Sequence, residues 1–186
     1  MVDQRVVKLG VSGHRFLGDI PALEKAIGAV VEQVLKRYTG CRLEMYNPLA
    51  PGADQLAAAT ALLENIPLII LLPFPQEQYL EEFPDESREV FFRLMRRAQK
   101  VIQIEVVEGE HRYRSLANYL IGQMDLLVAV WNGLPARGPG GTGEVVEGFR
   151  HSGKPLAWVR ADNMHPEDPM RLPPNLLHGS IQYENW

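Results

Sequence analysis

The 186 residues contain a single cysteine, Cys41, which excludes an internal disulfide and any multi-cysteine metal site. Basic charge is short as well. The 19 Lys and Arg against 23 Asp and Glu leave a formal charge of −4, so no broad cationic face for duplex DNA or an anionic membrane is expected. Nucleic acid is therefore not the expected partner. The five histidines are scattered, none at the paired spacing of a metal site, and neither a metal nor a cofactor is expected. No apolar run is long enough to span a bilayer and no secretory leader is recognisable, which makes the cytoplasm the expected compartment. Internal repeats and low-complexity tracts are missing too. What is present is enough chain for one domain with a substantial core.

Short apolar runs alternate with stretches of helical periodicity, the pattern of a parallel sheet covered on both faces. Strands are expected at 6–11, 41–46, 68–72, 101–107, 125–131 and 155–159. Between them, Asp19 caps a helix whose apolar face runs from Ile20 to Tyr38 at three- and four-residue steps. Further helices are expected at 53–64, 86–98, 113–124 and 142–151. Residues 74–85 read as a proline-containing connection and a candidate lid. The expected fold is a Rossmann-like α/β three-layer sandwich with a mainly parallel central sheet over residues 1–160. From 161 to 186 the pattern changes. Pro166, Pro169, Pro173 and Pro174 break any periodicity, so a tail packed on the domain or on a partner subunit is expected, ending in a short strand at 180–183.

In such a sheet, ligands bind beyond the carboxyl ends of the strands. Four loops then share one edge: 10–15 (GVSGHR), 48–54 (PLAPGAD), 73–75 (PFP) and 138–144 (GPGGTGE). The last is the most informative. Gly138, Gly140 and Gly141 occupy three of four positions after a buried strand, and a helix opening at Thr142 follows. Backbone N–H groups free of Cβ atoms, together with the positive end of that helix, make a socket for phosphate. The same glycines also suit a simple chain reversal.

Ser12 and Gly13 can hold a phosphate or ribose, and the planar fork of Arg15 can pair with phosphate. His14 is a candidate donor to the ligand, although a lone histidine more often satisfies a turn. Neither the GxGxxG nor the GxxxxGK[ST] spacing occurs in this loop. Gly52 permits close backbone approach, and Asp54 either accepts a ribose hydroxyl or caps its helix. Trp131 either stacks on a base or belongs to the core.

At these loops the chain resembles the SLOG superfamily, the Rossmann-like group that includes the LOG phosphoribohydrolases, DNA-processing proteins and nucleotide-sensing domains. GVSGHR at 10–15, LAPGADQLAA at 49–58, DLLVAVWNG at 125–133 and GPGGTGEVVE at 138–147 carry the resemblance. It implies a nucleotide or nucleotide-derived ligand and a homodimer or higher homo-oligomer, for which the apolar stripe from Tyr113 to Met124 offers a contact surface. Against the LOG pattern PGGxGTxxE, Pro139, Gly140, Gly141, Gly143 and Glu147 match, while Glu144 stands in place of the threonine. Glu147 then holds the position of the family's catalytic carboxylate; a shift of one residue, with Thr142 as the phosphate-binding threonine, puts Glu144 at the sugar instead. The family's Arg-Lys pair is replaced by Leu116-Ala117. Two functions follow: a nucleotide-binding or sensing module, or an N-glycoside hydrolase or transferase whose oxocarbenium-like ribosyl state is stabilised by one of the two glutamates. A DNA-processing accessory role is a third and weaker reading.

Overall fold

Alternate residues of the first strand, Val7, Leu9 and Val11, are fully buried on one face, and the same two-residue period on the fifth strand divides the core in two. The computed structural model describes residues 5–165 and 177–186. The four tail prolines lie outside the described residues. The described chain runs β1 (Val6–Gly13), α1 (Ile20–Arg37), β2 (Arg42–Asn47), α2 (Ala53–Leu63), β3 (Leu68–Leu72), α3 (Gln76–Glu81), α4 (Asp85–Met95), β4 (Lys100–Gln103), α5 (Arg112–Gln123), β5 (Leu126–Trp131), α6 (Thr142–Ser152), β6 (Leu156–Arg160) and β7 (Ile181–Glu184).

The strands form one sheet in the order β4-β3-β2-β1-β5-β6-β7. Every neighbouring pair is parallel except β6 with β7. Leu126, Val128 and Val130 of β5 pack with the first four helices, whereas Leu127, Ala129 and Trp131 pack with α5 and α6. The result is the Rossmann-like three-layer sandwich expected from the periodicity.

Helix α1 starts where Asp19 accepts a hydrogen bond from the Ala22 amide, with Pro21 in the first turn, a position that needs no N–H. Three local expectations are corrected. The connection 74–85 is no open loop: it holds α3, and Phe74, Tyr79, Phe83 and Phe91 meet edge to face, which pins the segment to the core. The fourth strand stops at Gln103. β3, the one neighbour of this edge strand, ends at Leu72 opposite Gln103, and Val106 and Val107 beyond that point are exposed. The stripe on α5 packs on the sheet, and its residues Leu116, Ala117, Leu120 and Met124, buried in this chain's own core, offer no surface to a partner.

The strand order has a direct consequence for ligand binding. Successive connections carry the chain outward from β1 through β2 and β3 to β4, and the chain then returns to add β5 on the other side of β1. Loops after β1 and β5 therefore diverge, and a crevice opens between them at the carboxyl edge.

Candidate functional site

A cleft of about 490 Å³ occupies that crevice. Its walls come from the end of β1 and the loop after it (Ser12 to Phe16), the loop after β2 with the first turn of α2 (Pro48, Ala50, Asp54) and the segment 131–143 from the end of β5 to the start of α6. Tyr79 of α3 and Tyr113 of α5 close one end. Asn163 and His165, which follow β6, close another.

His14 joins the two central loops. Its amide donates to the Val130 carbonyl at 3.0 Å, and its Nε2 accepts from the Asn132 amide at 3.1 Å, which leaves the proton of the neutral ring on Nδ1. Next to it the Ser12 hydroxyl donates to Thr142 Oγ1 at 3.2 Å. These hydroxyls come from residues 130 positions apart in sequence, and they meet at the N-terminus of α6. Glu144 and Val145 donate their amides back to the Gly141 carbonyl. Among the described residues the Thr142 and Gly143 amides have no protein acceptor, so two donors at the positive end of a helix face a cleft that both residues line.

The glycines of this turn are needed chiefly for packing. A Cβ on Gly140, whose φ is +72°, would fall 2.1 Å from the Tyr113 carbonyl oxygen, and one on Gly143 would fall 2.6 Å from the Ala136 nitrogen. Gly141 has φ −68°, so no left-handed conformation is required there. Gly138 has nothing within 4 Å. Gly52 likewise serves the fold, its Cα facing the His14 and Arg15 carbonyls, and it does not line the cleft. Trp131 belongs to the core: it is 6% exposed, its indole N–H donates to the Leu134 carbonyl at 2.8 Å, and its ring packs against Trp158. One face still borders the cleft.

Arg15 lines the cleft with partners of its own. It donates to the Tyr113 hydroxyl at 2.9 Å and to Glu82 at 3.2 Å, and the Tyr113 hydroxyl in turn donates to Glu82. Burial opposes the Arg15 charge, but Tyr113, Tyr79 and Glu82 outweigh it and raise its pKa. Burial and the bond to Glu82 push the Tyr113 phenol up to about 12. On the other side of Glu82, Arg112 donates at 3.2 Å and lies over the Phe74 ring.

The two candidate glutamates are not in the cleft. Glu147 is exposed on the solvent side of α6. Five residues past Thr142, it points about 140° around the helix from that side chain. Glu144 turns back upon its own loop, accepting from the Gly140 amide at 2.9 Å and from Arg114 Nε at 2.9 Å. Burial raises its pKa, but the Gly140 amide and Arg114 prevail and hold it below the ordinary carboxylate value. Its contribution to stability is thus present at neutral pH and is lost as pH falls through that lowered value. Replacing Glu144 by Gln is expected to lower stability by no more than about 1 kcal/mol in thermal denaturation, because the ion pair is partly exposed. A loss of several kcal/mol would show that the turn depends on this carboxylate.

The carboxyl that does line the cleft is Asp54, alone among the described lining residues. It is 5% exposed, and its Oδ2 accepts from the Ala50 amide at 3.3 Å while Oδ1 has no partner. Burial pushes its pKa up to about 7, against the lowering effects of the Ala50 amide and Arg15.

Ser12, Gly13, His14, Arg15, Asp54, Trp131, Gly138, Gly140, Gly141, Thr142 and Gly143 are thus brought to one cleft, and Gly52, Glu144 and Glu147 are not. Tyr79, Tyr113, Arg137, Asn163 and His165 join them without a place among the sequence candidates. Arg137 was open to discovery, as a basic residue inside the glycine-rich segment. Asn163 and His165 carried no local signal; they arrive because Asn163 bridges to Leu17 and Met164 donates its amide to the Phe16 carbonyl.

Fold and cleft together define a Rossmann-like α/β protein with its cleft at the switch point of the sheet. No protein-family model matches the chain, and no curated protein does. Solved structures do. DNA processing protein A from Streptococcus pneumoniae superposes with a TM-score of 0.53 at 18% identity, over 81% of this chain and 49% of that one. DNA processing protein A from Helicobacter pylori, described for its single-stranded DNA binding mode, gives 0.52 at 14% identity over 81% and 63%. The structural-genomics protein TM1055 gives 0.50 at 14% identity over 81% and 72%. At such identities the likeness is one of fold, and it is the fold that the SLOG resemblance implies. The chain spans about half the length of the S. pneumoniae protein.

Among the described residues, no helix is long and apolar enough to cross a membrane, and no group of three or more His, Cys, Asp or Glu is placed to hold a metal ion.

Proposed function

We propose that the cleft binds a nucleotide or a nucleotide-derived molecule, and that the protein acts as a binding or sensing module. The observation that carries this reading is the meeting of the Ser12 and Thr142 hydroxyls with the two open amides at the start of α6. Donors of this kind favour a phosphate. Two guanidinium groups line the cleft, that of Arg137 and that of Arg15, the latter paired with Glu82, against the carboxyl of Asp54, although the chain as a whole carries −4. The volume of about 490 Å³ is that of an ordinary small-molecule site.

The hydrolase reading has less support, since neither Glu144 nor Glu147 faces the cleft. Base release from nucleoside monophosphates would restore it. Salt-dependent binding of single-stranded DNA would favour instead the activity for which the H. pylori neighbour is described. With the core residues of the α5 stripe buried, self-association rests on the SLOG resemblance and on the C-terminal tail, and light scattering with and without nucleotide tests it.

Nucleoside 5′-monophosphates are expected to raise the melting temperature where the matching nucleosides do not, because the α6 donors need a phosphate. At about 100 times Kd the stabilisation is about 2.7 kcal/mol. Equal shifts from nucleosides and nucleotides would remove the phosphate from this reading, and no shift from either would remove the site.

A further inference from the structure

Apart from its histidines, the cleft is bordered by four aromatic side chains among the described residues: Phe16, Tyr79, Tyr113 and Trp131. A nucleotide base presents flat π faces, and a protein ring with open surface holds such a face by stacking. Three of the four have little surface to offer. Tyr79 is 1% exposed and meets Phe74, Phe83 and Phe91 edge to face. Trp131 is nearly buried and packs on Trp158. Tyr113 stacks on His111 and meets Phe74 edge to face, and the guanidinium groups of Arg15 and Arg112 stand 5.6 and 5.9 Å from its ring centre. Phe16 differs, because 40% of it is exposed.

This open ring is nonetheless fixed. The Phe16 carbonyl accepts from the Met164 amide at 2.9 Å, Leu17 bridges to Asn163, and the ring meets that of His165 edge to face with centroids 4.5 Å apart. The loops after β1 and β6 thereby clamp each other, so a ligand that covers Phe16 gains apolar contact without having to order the side chain first. Its position is across the sheet edge from the α6 donors. Leu17 packs with the core on the α1 side of the sheet, whereas Val145 and Val146 of α6 belong to the core on the other side. Ser12, whose hydroxyl reaches Thr142, is only four residues before Phe16, so the Cα atoms of the two are at most about 14 Å apart.

We propose that Phe16 is the base-stacking residue of the cleft: a nucleotide with its phosphate at the start of α6 lays its base on the Phe16 ring, and the site selects phosphates that carry an aromatic base over the bare sugar phosphate. The inference rests on the nucleotide reading above and deepens it. His165 acts as a positioning residue that holds the Phe16 ring. Because every base has a π face, this contact selects for the presence of a base and discriminates little among bases.

The test is calorimetric titration of the four ribonucleoside 5′-monophosphates and of ribose 5-phosphate into the wild type, Phe16→Leu and Phe16→Tyr. Leucine keeps the apolar bulk and removes the ring, while tyrosine keeps the ring. The wild type is expected to bind at least one monophosphate tenfold or more tightly than ribose 5-phosphate. In Phe16→Leu the affinity for that nucleotide is expected to fall about tenfold, with ribose 5-phosphate bound within twofold of wild type, and Phe16→Tyr is expected to stay within threefold for both ligands. Should the Leu variant fail to melt cooperatively, Phe16→Met carries the same expectation. Nucleotides and ribose 5-phosphate bound within twofold by the wild type, or full nucleotide affinity in a folded variant without the ring, would overturn the role of Phe16 and leave phosphate binding intact. No binding of any of the five phosphates would overturn the nucleotide reading as well.

Discussion

Alanine at Gly52 is expected to destabilise the protein by about 3 kcal/mol or more, from left-handed strain and overpacking together. Gly52 has φ +83° and ψ −120°, a combination that side chains with a Cβ rarely adopt. The added Cβ would fall 2.4 Å from the Arg15 carbonyl oxygen and 2.5 Å from that of His14. Neither is the end of a flexible side chain. Both are backbone, and the His14 carbonyl is already held by the Ala53 amide at 3.0 Å. Relief therefore requires the two loops to part, which moves Ser12 and Arg15 away from the cleft, so nucleotide affinity is expected to fall as well. Two controls separate the causes. Gly40 has φ +86° and an added Cβ there would meet nothing within 4 Å, so Gly40→Ala shows strain alone, about 1 kcal/mol. Gly138 meets nothing and has no positive φ, so Gly138→Ala is expected to be near neutral. Urea denaturation of the three variants reads the series, and a Gly52→Ala loss no larger than that of Gly40→Ala would show that the two loops are not in close contact.

Asp54→Asn is expected to make the protein more stable above neutral pH, by about 4 kcal/mol. Burial lifts the folded-state value to about 7 from the ordinary 3.8. The unfolded chain therefore loses the proton first, and wild-type stability falls as pH rises from about 4 to about 7, then levels off. Below pH 4 the carboxyl is neutral in both states and contributes no penalty. Asn is neutral throughout and still offers an oxygen to the Ala50 amide, so the variant lacks this slope. Denaturation between pH 4 and pH 8 should show the two proteins nearly alike at the acid end and diverging toward the alkaline end. Parallel curves would mean that the folded protein carries Asp54 as an ordinary charged carboxylate.

Much of the architecture is legible along the chain. Leu68 to Leu72 forms a strand over the very residues of its apolar run, and Asp19 caps α1 as its position suggests. The alternation of runs and helical stripes gives the layering, and parallel pairing then puts the four loops on one edge. That is why spacing alone makes both Ser12 and Thr142 candidates, and their hydroxyls do meet. The same local reasoning fails on the connection 74–85, because its order comes from rings of Phe74, Tyr79, Phe83 and Phe91 packing across separate elements.

The glutamates show the limit most clearly. Motif spacing favours Glu147 or Glu144 at the sugar, yet helix phase turns Glu147 to solvent, and Arg114, thirty positions earlier, draws Glu144 out of the cleft. Asp54 is read equally well as a helix cap or a ligand contact from its neighbours alone. Its burial, its orphaned oxygen and its raised pKa depend on how α2, α3 and the β1 loop close around it.

The sequence by itself therefore determined most of the elements, their layering and the edge at which the loops gather, because periodicity and turn chemistry act over a few residues. Only the tertiary structure decided which carboxyl enters the cleft and which glycines are needed for packing. Those outcomes depend on desolvation and on contacts between residues far apart in the chain, such as that of Arg114 with Glu144, and these leave no trace in local spacing.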